Sequence, residues 1–476
     1  MRILEKTEPK EVFYYFEELC KIPHGSKNIK PVADWLVSFA KGNNLEYSRD
    51  EYDNVIIIKE ASSGYEKKQA IILQGHTDMV CQKNPDSKKD MDKEGIDIVL
   101  DGDCISAKDT TLGADNGIAV AMIMAILASK TIKHPKIEAV FTSDEEIGLI
   151  GASKIDLSNL SGKRLINLDS EDEGVFTVSC AGGNVTKAKI PIQREEFDGT
   201  PISIKIRGLS GGHSGIEINK GRANANILMG RVLYKISKAC EMRLIFVNGG
   251  LKDNAIPDEA EARILVKDES KAYDVIKSFE EAVRNEYRIT DENVKAQIQK
   301  TEYSCPMTKE STKGIITFLA CCPNGVQEMS ADIDGLVQTS LNLGILKTEE
   351  DNVSAGFCVR SSKESQKQML TEKVSALSEI LGGSVEVFGD YPGWDYKEKS
   401  PLRDLLIEVF QNQYGYEPKI EAIHAGLECG ILASKIDGLD SISIGPDLKE
   451  VHTPRERMSV SSVKRVWEML LEVLRR

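Results

Sequence analysis

The apolar positions of this chain follow two periods, and the switches between them mark its organisation. Val12, Phe13, Phe16, Leu19 and Cys20 fall on one face at helical spacing, and Val32, Trp35, Leu36 and Phe39 do so again. This predicts two helices within 9–42, with Pro31 suited to the first turn of the second. Short apolar runs at 55–58, 70–73, 137–141 and 165–168 predict strands without a polar face. The stretch 117–128 is apolar all round, which predicts a helix buried on most sides. Uniformly apolar strands alternating with helices predict an α/β sheet covered on both faces.

The pattern changes near 184. Ile202, Ile204 and Ile206 alternate with polar residues, as in a strand with one solvated face. Helical spacing at 222–240, 269–287, 310–322 and 363–380 is interleaved with strand-like runs at 242–247, 261–266, 293–299, 336–343, 353–360 and 384–388. This predicts an α+β insert of two similar-sized modules. After Tyr391-Pro-Gly-Trp394, Ser400-Pro401 signals a helix start. Strands at 419–422 and 440–444 and a helix at 459–475 resume the first pattern. The expected organisation is a discontinuous α/β domain, 1–184 and 393–476, with a central sheet flanked by helices, interrupted by the insert 185–392.

Length agrees with more than one core: 476 residues exceed what a single domain usually organises. The net charge of −14 argues against nucleic acid or an anionic membrane as partner, because phosphates would repel it. No apolar stretch approaches the ~18 residues of a spanning helix, and the first residues lack a signal-peptide apolar core. Ten scattered cysteines without a Cys-x-x-Cys read as reduced thiols, hence a cytoplasmic setting.

Five segments place acids or histidines just after an apolar strand or at the start of a helix. They are Leu73-Gln-Gly-His76-Thr-Asp78, Thr111-Leu-Gly-Ala-Asp115-Asn-Gly117, Ser143-Asp-Glu145-Glu146, Leu168-Asp169-Ser-Glu171 and the loop holding His452. Each has an ordinary explanation alone: Asp115 falls where a helix cap would, and Glu145-Glu146 would suit a helix N-terminus. Together they converge on the carboxyl edge of an α/β sheet, where such folds bind ligands. Acids with two imidazoles would suit a pair of zinc ions, with one carboxylate bridging. Glu145 and Glu146, being neighbours, point different ways, so one can bind metal while the other acts as a base.

These motifs, followed in order by Gly211-Gly-His213-Ser-Gly215, His424-Ala-Gly426-Leu-Glu-Cys-Gly430 and Gly445-Pro…His452-Thr-Pro454, resemble the M20 family of zinc metallopeptidases across essentially the whole chain. The nearest branch is that of the aminoacyl-histidine dipeptidases. The resemblance implies that His76 and Asp169 bind one zinc, Glu146 and His452 the other, and Asp115 bridges them. It implies that Asp78 orients His76, that Glu145 is the general base, and that the Asp115–Asn116 peptide is cis. It makes the insert a lid, with His213 reaching the substrate oxygen and Asn254 beside it. Arg360, which ends a strand, could pair with a dipeptide carboxylate; Gly426 opens a helix whose N–H groups would suit the same anion, and His424 lies beside it.

The function so implied is hydrolysis of unblocked dipeptides, including those with histidine second. Two Zn2+ per subunit are implied, with Mn2+ or Co2+ as substitutes, and the state is monomer or homodimer. A carboxypeptidase, tripeptidase or N-acyl amino acid deacylase of the same fold is the alternative, and a non-catalytic binding protein the more distant one.

Overall fold

The computed structural model describes residues 2–476. They divide into two compact units. The first comprises residues up to Ser179 with Tyr396–Ala422 and Leu427–Arg476; the second comprises Cys180–Asp395 and the short stretch Ile423–Gly426. His424 and Gly426 therefore group with the insert, a return that no change of period signals.

The first unit is built on an eight-stranded mixed sheet. Its centre is parallel: Ile71–His76 lies between Ile137–Thr142 and Arg164–Asn167, and Asp440–Ser443 continues parallel to the last. Ile71, Ile72 and Leu73, and Ile137, Ala139, Val140 and Phe141, are all buried, as strands covered on both faces require. The helix Ala114–Ala128 is buried at almost every position and packs on the helix Lys10–Leu19, with Gly117 fitting against Phe16 and Leu19. Truncating Phe13 or Phe16, both fully buried, would cost about 3–5 kcal/mol. A separate four-stranded sheet joins Ile98–Asp101 and Cys104–Ala107 to Arg457–Ser459 and Leu448–Lys449.

The second unit holds a nine-stranded antiparallel sheet that falls into two halves. Lys295–Lys300, Thr200–Arg207, Ala260–Val266 and Met242–Gly249 form one; Val337–Thr348, Asn352–Ser361, Gly182–Pro191 and Ser384–Tyr391 form the other, with Gly325–Met329 on its flank. The halves join at one backbone pairing, Gly249 with Leu346. Helices Ala225–Ala239, Glu269–Glu286 and Lys309–Cys321 accompany the first half and Glu364–Ile380 the second. Ile202, Ile204 and Ile206 point into a core shared with Leu228, Val232 and Ile236 of the first helix; on the other face Lys205 is exposed, while Ser203 is buried and donates to Glu261 Oε1. No helix of the described residues is long and apolar enough to cross a membrane.

Candidate metal centre

The parallel register in the first unit sets the site. His76 is level with Thr142, and Gln74 with Asn167, so the residues following each strand emerge at one edge. His76 Nε2 lies 3.2 Å from Asp115 Oδ1 and 3.4 Å from Asp169 Oδ1. His452 Nε2 lies 3.0 Å from both Asp115 Oδ2 and Glu146 Oε1. The two oxygens of Asp115 thus face different imidazoles, and each imidazole has a second carboxylate of its own. Among the described residues, His76, Asp115 and Glu146 bring ligand atoms within 4.8 Å of one another.

The structure gives Asp115 a different place from that of a helix cap. Gly113 is the capping residue, with φ of 72°, and Asp115 stands in the first turn with non-helical angles and a side chain free to face the histidines. The Asp115–Asn116 peptide is cis. Asn116 accepts a hydrogen bond from the His76 N–H and donates to the Leu168 carbonyl, so it ties two neighbouring strands beneath the site. That approach needs Gly75: a Cβ there would lie 2.5 Å from Asn116 Oδ1.

His76 Nδ1 donates to the Asp78 carbonyl at 2.9 Å, with the Asp78 carboxylate 3.5 Å away, so the Nε2 lone pair is left for a ligand. The Asp78 carboxylate itself accepts from the Glu145 and Glu146 N–H groups and from Ser26 Oγ. It therefore anchors the segment carrying the glutamate pair as well as flanking His76.

Electrostatics show how much negative charge is gathered. Burial pushes the Glu145 carboxyl well above its ordinary value, with Asp169, Glu428 and Glu146 adding to the rise and His76 opposing it. Burial pushes Asp169 up to about 6 against the pull of His76, and Glu171 up to about 7 with help from Asp115 and Asp169. Hydrogen bonds to Asp115 and Glu146 push His452 up to about 10. His76 also rises well above the imidazole range, because Asp169, Asp115 and Asp78 outweigh its burial. A compact set of buried carboxylates facing two imidazoles is costly without further positive charge. Carboxylate oxygens and imidazole nitrogens about 3 Å apart are also what zinc bonds of about 2.0–2.1 Å produce between two ligands of one ion. The donor set fits divalent cations.

Below this edge, Glu428 is fully buried and joins the same strands. It accepts from Gln74 Nε2 at 2.5 Å and Thr142 Oγ1 at 2.9 Å, and Gln74 Oε1 accepts from Asn167 at 2.6 Å. Burial pushes Glu428 up to about 7. The motif containing Glu428 is visible in the sequence, but its link to Gln74 and Thr142 is not.

The remaining expected residues lie in the second unit, where several meet. The His213 ring accepts the N–H groups of Gly215 and Ile216 at Nδ1, each at 3.2 Å. Burial and the Arg360 charge lower its pKa. Arg360 is 7% exposed, donates to Tyr391 Oη at 3.1 Å, and its Nε is buried without an oxygen acceptor among the described residues. Its cross-strand partner is Ser340, whose hydroxyl lies 2.7 Å from His424 Nε2. A Cβ on Gly426 would touch the Tyr391 ring, and one on Gly215 would lie 2.6 Å from the His424 carbonyl, so this corner is closely packed. Asn254 joins through its backbone, its carbonyl accepting from Ser214 N–H. Tyr391 and Ser340 escape sequence reading because nothing in their own segments marks them; only strand register brings them to Arg360.

Comparison with known proteins supplies the family. A model described as a peptidase dimerisation domain matches residues 204–291. The cytosol non-specific dipeptidase of Escherichia coli (strain K12) is 35% identical over 482 residues, spanning 100% of this chain and 99% of that one. The crystal structure of aminoacylhistidine dipeptidase from Vibrio alginolyticus superposes with a TM-score of 0.94 at 35% identity, covering 99% of this chain and 97% of that one. An M20 family metallo-carboxypeptidase from Sulfolobus solfataricus, 14% identical with a TM-score of 0.54 over 98% of each chain, shares the fold. Full-length identity at this level, on a fold whose parallel strands deliver the motif histidines and acids to one edge, means that the chain belongs to the M20 family of metallopeptidases.

Proposed function

We propose that this protein is a cytoplasmic dipeptidase that cleaves unblocked dipeptides, including those with histidine second, with two divalent cations, zinc by preference, held by His76, Asp169, Asp115, Glu146 and His452. The observation that carries this reading is the Asp115 carboxylate, whose two oxygens face His76 and His452 separately. The dipeptidase names of the two relatives at 35% identity support the substrate class. Cations bound there would polarise the scissile carbonyl and lower the pKa of an attacking water.

The chain's own residues supply the rest. Glu145 takes the proton of the attacking water and delivers it to the leaving amine, a role for which a carboxyl raised by burial is suited. Because His213 Nδ1 accepts two backbone N–H groups, the neutral ring carries its proton on Nε2. That N–H is the donor offered to the substrate oxygen as it gains charge. Arg360, backed by Tyr391, binds the carboxylate that ends a dipeptide, with Asn254, His424 and the Gly426 backbone shaping the same subsite. The insert 185–392 acts as a lid that limits substrate length and excludes water.

The dimerisation-domain match favours a homodimer over a monomer. Ten cysteines, with no disulfide among the described residues, support a reducing compartment, and the charge of −14 supports a small peptide rather than nucleic acid or an anionic membrane as partner.

The test is metal analysis and a peptide panel on one preparation. Two equivalents of metal, and turnover of Xaa-His dipeptides that a chelator abolishes, are expected. Faster turnover of N-acyl amino acids than of free dipeptides would replace this reading with a deacylase.

A further inference from the structure

The loop that carries Asp115 has an unusual anchor. The first N–H groups of a helix lack partners within it and are commonly met by the capping residue's side chain. Here the capping residue is Gly113, which has no side chain to offer. Glu456, 341 residues further along the chain from Asp115, takes over. Its Oε2 accepts from Leu112 N at 2.7 Å and Gly113 N at 3.0 Å, and its Oε1 from Ala114 N at 2.8 Å and Asp115 N at 3.3 Å. Glu456 is 2% exposed. It stands four residues after His452, whose imidazole faces the other side of the Asp115 carboxylate.

We infer that Glu456 is a positioning residue for the metal centre: its carboxylate clamps the loop bearing Asp115 to the loop bearing His452, and so fixes the spacing of the bridging and terminal ligands. The inference rests on the metal reading above and adds a residue that the family motifs do not single out as a ligand or a base. A carboxylate suits the task because it presents two acceptor oxygens with room for four N–H donors. A glutamine presents one oxygen and one NH2 group, and the latter would face two N–H donors. Because Glu456 releases Asp115 from capping, the same contact explains how an acid at a helix start can be spared for a cation.

The test compares Glu456→Gln, Glu456→Asp and the control Glu450→Gln with the full-length wild type. Glu450 lies in the same loop but is paired on its surface with Arg455 and Arg457. Each protein is stripped with a chelator, shown by its thermal midpoint to be folded, and titrated with zinc by calorimetry. Glu456→Gln should lose about 10–100-fold in zinc affinity, the range for residues that support metal ligands from behind. Its kcat should fall at limiting zinc and recover with excess zinc, while KM stays within about two-fold of wild type. Glu456→Asp, which keeps the charge on a shorter arm, should fall between Glu456→Gln and wild type, and Glu450→Gln should match wild type. Wild-type zinc affinity in Glu456→Gln would overturn the proposal, as would an equal loss in Glu450→Gln, which would mean that any change in the loop suffices. If Glu456→Gln does not fold, Glu456→Asp alone decides: wild-type zinc affinity overturns the proposal. A wild type that binds no metal would instead overturn the metal reading itself.

Discussion

The two units assemble functional residues by opposite means. In the first, parallel strands covered on both faces leave no side-chain position along their length for chemistry, so the candidate ligands sit at or beyond strand ends: His76, Glu146, and Asp169 two residues beyond Asn167. In the second, antiparallel strands place polar groups along a face, and Arg360 meets Ser340 through cross-strand register. A strand-end site tolerates variation in strand interiors so long as the ends stay level. A register site fails if one strand slips by a single residue, because every side chain then changes face. The first unit thus gathers buried charge at strand ends, and the second gathers polar groups along a sheet face.

Substitutions should separate the two. The largest effect is expected for Glu145→Ala: kcat should fall by about 10²–10⁴-fold while metal content stays at the wild-type level; unchanged turnover would remove Glu145 as the base. Next is His213→Ala, which should lower kcat by about 10²–10³-fold, again with the metal retained. Metal loss in that variant would break the comparison, since it would tie a second-unit residue to the metal centre. Arg360→Ala should act mainly on KM, by about 10–100-fold, the worth of a hydrogen bond to a charged group. Arg360→Lys should rescue little, because a point charge cannot reproduce a planar fork. A change in kcat with KM unaltered would show that Arg360 does not hold the ground-state carboxylate.

The smallest effect expected is in stability against acid. Burial and the Arg360 charge depress His424 to about 3, against about 6.5 in an unfolded chain. The unfolded state therefore binds more protons between those values, so the contribution is whole above about pH 6.5 and is lost as pH falls towards 3. Urea midpoints of His424→Gln should consequently decline less between pH 7 and 4 than those of wild type. Equal declines would mean that His424 is not held neutral by its surroundings.

Much of this was readable before folding. The apolar periods locate the buried helix at 117–128 and the strands at 70–73 and 137–141, because burial on both faces and burial on one face leave different apolar spacing. The ordered motifs identified the candidate ligands. What spacing could not reveal is everything held by a partner distant in sequence. Asp115 has the sequence position of a cap, yet Glu456 meets the first N–H groups of that helix; Glu428 has a motif but no neighbours visible in sequence; Tyr391 and Ser340 have neither. Local pattern records whether a residue faces a core or water, which the chain settles within a few positions. Which oxygen meets which N–H across hundreds of residues depends on strand order and register, and those are decided only when the sheets close.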